Sequence, residues 1–128
     1  MLIAKTQPVE SLGEHTKQLL IRFEELKENY GEKIKNKRLW ALLRLAVVYH
    51  DAGKAYSHFQ LRMKRFLGEN VEGTELRHIP HNYLSPFFLP LDQLRLDKND
   101  RRILIEAIAF HHEREFLPDA QQLIEVAE

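Results

Sequence analysis

Apolar residues recur at spacings of three and four through most of this 128-residue chain, and nowhere does a period of two run long enough to make a confident strand. That periodicity restricts the fold to packed helices, and the fold class it predicts is all-α. Ser11-x-x-Glu14 forms a capping box that opens a first helix. Its apolar face would carry Leu12, His15, Leu19, Phe23, Leu26 and Tyr30, and Gly31 would close it. A second helix is expected over roughly 36–52, with Leu39, Leu42, Leu43, Ala46, Val47 and His50 on one face. A third is expected over about 56–67, with a Phe59, Met63, Phe66 and Leu67 stripe. The two glycines between 68 and 74 predict a loop. Pro80 then fits a first helical turn, and Ser85-Pro86 breaks or restarts that helix. A further helix is expected at about 100–114, facing inward with Leu104, Ala107, Ile108 and His111, and Pro118-Asp119 opens a last one.

The length is that of one domain, 1–128, able to bury a core without disulfides or a structural metal. With no cysteine, any metal must be held by imidazole and carboxylate, and the composition fits a reducing compartment such as the cytoplasm. Nineteen basic and nineteen acidic residues leave zero formal charge, so contact with a polyanion has to be local. No apolar run approaches the roughly 20 residues that span a bilayer, and no signal-peptide layout opens the chain. No membrane partner is expected.

The helix over 36–52 finishes on His50-Asp51, followed at once by Ala52-Gly53-Lys54. An HD dipeptide alone says little, since composition supplies one in about a quarter of such chains. A single histidine on an apolar face is usually a core residue whose ring nitrogens are satisfied by backbone. The conjunction is more telling. Of seven histidines, His15, His50, His81 and His111 stand at the ends or inner faces of different helices, with His112 beside the last. Burying that many imidazoles with a carboxylate is costly unless something pairs with them. A divalent transition ion does so well. A structural role for the same histidines remains the alternative.

The string His50-Asp51-Ala52-Gly53-Lys54 with Phe59-Gln60 resembles the HD-x-GK…FQ signature of the HD nuclease of type I CRISPR interference. Three further strings resemble that family's other elements in order: Leu12-Gly13-Glu14-His15-Thr16, His81-Asn82-Tyr83-Leu84-Ser85 and Ile108-Ala109-Phe110-His111-His112. The resemblance runs from residue 1 to about 115. It implies a metal-dependent nuclease cutting single-stranded DNA exposed by a guide-RNA surveillance complex, joined to or partnered by a DExH helicase. It implies up to two ions of Mn, Fe, Co or Ni, or Mg. His15, His50 and Asp51 would hold one ion, and Asp51, His81, His111 and His112 the other. Asp51 would be the bridging catalytic carboxylate.

Lys54 would be a catalytic, substrate-binding charge aimed at the phosphate, or else a solvated helix-end lysine. Ser85 would hydrogen-bond the phosphate or cap the following segment. His81 is preferred to His78 because only it stands three residues before Leu84-Ser85. His78 would then lie in a loop or support the site from outside, and His58 would be at the surface. The basic Arg62, Lys64 and Arg65 could follow a single strand or simply form a charged helix face. The family pattern also calls for a last aspartate downstream of the histidine pair. Here only Asp119 follows, at a position suited to helix capping, so the chain is expected to be an N-terminal piece of a longer protein with weak occupancy of the first metal position. Two other functions fit the residues: an HD phosphohydrolase acting on nucleotides, and a non-catalytic helical module.

Overall fold

The computed structural model describes residues 1–72 and 80–112. The chain opens with a hairpin, β1 (Ile3–Thr6) paired antiparallel with β2 (Val9–Ser11). Five helices follow: α1 (Leu12–Tyr30), α2 (Lys37–Tyr49), α3 (Ser57–Phe66), α4 (His81–Leu84) and α5 (Lys98–Ala109). Tight 3-10 turns occupy Ala52–Ala55 and Ser85–Phe88. The molecule is helical as expected, except for the hairpin. Strands of four and three residues are too short for period two to be read against a helical background.

Side-chain caps set the starts of the three longer amphipathic helices. Ser11 Oγ accepts from Glu14 N at 3.1 Å, Asn36 Oδ1 from Leu39 N at 3.0 Å, and Asp97 Oδ1 from Asp100 N at 2.8 Å. Each satisfies an amide that the first turn leaves without a partner. Gly31 closes α1 in a right-handed conformation, φ −59°, its N–H reaching Lys27 O. α5 ends at Ala109 rather than near 114, so His111 and His112 stand in the turn beyond it.

The core lies between α2, α5 and the segment after α4. Leu42, Leu89, Leu104 and Ile108 are buried together, flanked by Leu45, Ala46 and Tyr49. Burying a side chain of this kind contributes about 1.5–3 kcal/mol each. The inner stripe of α2 is rotated from the one expected. Leu39 and Leu43 are exposed, whereas Trp40 is buried against Phe23 of α1, with ring centroids 6.1 Å apart. The Trp40 indole N–H donates to Ile34 O at 2.7 Å, the partner a buried indole needs. Leu26 and Tyr30 of α1, Phe66 of α3 and Ala107 of α5 are exposed as well, so those faces are narrower than their periodicity suggests.

At its start α2 is tied to α5 by Arg38, which reaches both Asp97 and Asp100. Both helices therefore run the same way and deliver their C-terminal ends, His50 and His111, to one place. Among the described residues no helix is long and apolar enough to cross a membrane.

Candidate metal centre

Asp51 sits at the hub where these ends meet, only 4% exposed. Its two carboxylate oxygens face different histidines. Oδ2 lies 3.1 Å from His15 Nε2 and 3.3 Å from His50 Nε2. Oδ1 lies 3.0 Å from His81 Nε2 and 3.5 Å from His111 Nε2. His112 Nε2 is 2.9 Å from His81 Nε2. The described residues thus form two groups that could each hold a metal ion: His15, His50 and Asp51, and Asp51, His81, His111 and His112. Within each group the donor atoms lie within 4.8 Å of one another.

Local structure aims the rings. Residues at the C-terminal end of a helix have carbonyls nearby that lack an amide four positions on. His50 uses one, with Nδ1 2.7 Å from Val47 O, and His111 does the same, with Nδ1 2.6 Å from Ile108 O. With Nδ1 turned to backbone, Nε2 is the nitrogen that faces Asp51 and that can offer its lone pair to a metal. Asn82, buried at 6%, donates to Ala109 O at 2.7 Å and ties α4 to the end of α5.

Gly53 fixes the other contact. A Cβ there would lie 2.2 Å from His81 O and 2.8 Å from Ser85 N, so only glycine lets the 52–55 turn press against α4. Ser85 closes the joint. Its hydroxyl accepts from Gly53 N–H and donates to His81 O, both at 2.8 Å. Ser85 is fully buried at 0% exposure, and its single proton is spent on His81. The expected hydrogen bond from Ser85 to a phosphate therefore has neither access nor a donor, and the hydroxyl instead locks the turn that carries His81.

Lys54 is not a solvated helix-end lysine. Its side chain is 11% exposed, with Nζ 3.0 Å from Asp51 Oδ2 and 3.3 Å from Ala4 O. Gln60, whose role the sequence left open, holds this region to the hairpin. Its amide accepts from Ile3 N at 2.7 Å and donates to Ile3 O at 2.9 Å and to Lys54 O at 2.6 Å. A buried glutamine that pairs both backbone groups of one residue acts as a short extension of the sheet. Glu10, also not singled out from sequence, brings Oε2 to 3.4 Å from His15 Nδ1. His78, Asp119 and the side chain of His58 lie outside what the structure describes.

The electrostatics follow from this crowding. Burial pushes the Asp51 carboxyl upward, but the imidazoles of His111, His50 and His81 outweigh it and hold the group far below the ordinary carboxylate range. Burial alone would lower His50, yet the hydrogen bond to Asp51 and its charge raise it above the usual 6.5. Partial burial, then the neighbouring His111 and His81, hold His112 below 6.5, in the neutral form a metal ligand requires.

The residues present fit a divalent cation. His111 Nε2 is buried with Asp51 Oδ1 facing it only at 3.5 Å, too long to satisfy a buried ring nitrogen fully, which is costly unless something else takes its lone pair. Two Nε2 atoms 2.9 Å apart are spaced as neighbouring ligands of one ion would be, given metal–nitrogen distances of about 2.0–2.1 Å. An imidazole-and-carboxylate donor set suits Mn, Fe, Co or Ni.

The family model described as "Cas3, HD domain" matches residues 6–126, nearly the whole chain. No curated protein and no solved structure matches.

Proposed function

Because this chain belongs to the Cas3 HD-domain family, the HD nuclease domain of CRISPR-associated proteins, we propose that it is a metal-dependent phosphodiesterase acting on single-stranded DNA. The observation that carries this reading is the division of Asp51: one oxygen serves His15 and His50, the other His81 and His111. A carboxylate shared in this way could serve two cations at once, and a pair of cations suits in-line displacement at phosphorus.

In this reading His15, His50 and Asp51 would hold one ion and Asp51, His81, His111 and His112 would hold the other. Ions of Mn, Fe, Co, Ni or Mg, when bound, would neutralise phosphate charge and activate a water. The protein's own contributions are distinct. The helix-end carbonyls of Val47 and Ile108 orient His50 and His111, so little reorganisation is needed when the site fills. The buried carboxylate of Asp51 stays ionised and keeps the two ligand groups in fixed relation. Lys54 offers the one ammonium within the described centre. Once Asp51 is engaged elsewhere, that charge is available to a non-bridging phosphate oxygen or the departing alkoxide. Ser85 and Gly53 position the His81 turn and do not touch substrate.

The expected partners are a helicase domain or subunit and a guide-RNA complex that exposes the single strand, in the cytoplasm. Incubation of circular single-stranded DNA, and separately of deoxynucleoside triphosphates, with Mn2+, Co2+, Ni2+ or Mg2+ tests the reading. DNA cleavage that is lost in Asp51→Ala supports it. Nucleotide turnover without DNA cleavage would instead assign the centre to a small phosphate ester.

A further inference from the structure

The two histidines at helix C-terminal ends take their Nδ1 acceptors from backbone. His15 cannot. It lies in the first turn of α1, where carbonyls are engaged within the helix, and Leu12 O additionally receives the Thr16 hydroxyl at 3.0 Å. An imidazole whose Nε2 is to serve a metal still needs an acceptor at Nδ1, or it can present the wrong nitrogen. The group facing that nitrogen is the Glu10 carboxylate, with Oε2 at 3.4 Å.

Glu10 belongs to β2, and the hairpin register sets it opposite Lys5. Lys5 Nζ lies 3.2 Å from the same Oε2, so this carboxyl oxygen stands between the Lys5 side chain and His15 Nδ1. The hairpin is itself anchored beside the site. Gln60 pairs with Ile3, and Lys54 donates to Ala4 O. Its placement is thus fixed by α3 together with Lys54 of the turn that follows Asp51.

We propose that Glu10 is the positioning residue for His15. It accepts Nδ1–H, fixes the tautomer that turns Nε2 toward the ion shared with His50 and Asp51, and makes the N-terminal hairpin part of that ion's site. The inference rests on His15 being a metal ligand, as proposed above, and the experiment separates the two claims. Mn2+ is titrated calorimetrically into the unaltered chain and into His15→Ala, Glu10→Ala and Glu10→Gln, with melting of each metal-free protein measured alongside.

His15→Ala should abolish one class of Mn2+ site. Glu10→Ala should weaken that same class about 10–100-fold and leave the other within about threefold. Glu10→Gln, which keeps an oxygen acceptor, should recover part of the loss, with the metal-free melting temperature unchanged in both Glu10 variants. If His15→Ala keeps both classes, the ligand assignment fails. If His15→Ala loses one class while Glu10→Ala binds like the unaltered chain, only the role of Glu10 fails. Glu10→Ala weakening both classes, or lowering the metal-free melting temperature, overturns the proposal in favour of a role in holding the hairpin together.

Discussion

Gly53 and Ser85 show how little freedom single residues have around Asp51. Gly53→Ala would drive a methyl into the His81 carbonyl, a backbone atom that cannot swing aside. We expect it to destabilise the protein by about 1–3 kcal/mol, as overpacking does. Ser85→Ala leaves the buried Gly53 N–H without its acceptor, a loss of about 1–3 kcal/mol. Chemical denaturation of both variants checks these values; unchanged midpoints would mean that the turn adapts freely. The histidines were legible in the sequence because imidazoles at helix ends need partners whatever the tertiary fold. The contacts of Ser85 were not legible, because its partners, Gly53 N and His81 O, are backbone atoms of segments that only folding brings together. Glu10 was overlooked for the same reason: a carboxylate on a three-residue strand carries no signal until the hairpin sets it against His15.

Among the elements, the hairpin is the part whose function sequence periodicity could not reveal. It is held beside the centre by side chains of other segments, chiefly Gln60 of α3, whose amide replaces a strand partner for Ile3. Gln60→Glu substitutes an acceptor for the NH2 group that donates to Ile3 O and Lys54 O, setting an anionic oxygen against two carbonyls. The variant should lose about 1–3 kcal/mol of stability and expose the hairpin amides, with Ile3 N–H exchanging faster by hydrogen–deuterium exchange. Ile3 protection equal to that of the unaltered chain would show that the hairpin holds its place without Gln60. The helices were legible because their starts carry local caps at Ser11, Asn36 and Asp97. Their buried faces were less so. Leu39 and Leu43 fit the α2 stripe by spacing, but the pairing of Phe23 with Trp40 and the packing of α5 on Leu42 select a neighbouring stripe.

At the scale of the whole molecule, the centre couples folding, protonation and metal binding. The raised His50 pKa means that the folded, metal-free protein holds that proton more tightly than the unfolded chain. The resulting stabilisation is fully present below pH 6.5 and is lost as pH rises through the raised value. Asp51 acts oppositely: its depressed pKa contributes stability above its ordinary 3.8, lost as the solution is acidified below that value. A metal ligand must give up its proton, so added Mn2+ stabilises more strongly as His50 deprotonates. The difference in melting temperature between Mn2+-saturated and metal-free protein should therefore widen from about pH 6 to about pH 8. A gap that narrows over that range would place the proton elsewhere. Whether Asp51 serves two ions can be seen by anomalous diffraction from crystals soaked in saturating Mn2+. Two peaks about 3.5–4 Å apart are expected on either side of the Asp51 carboxylate, one beside His15 and His50 and the other beside His81, His111 and His112. A single peak, or peaks that do not share Asp51, would contradict that role.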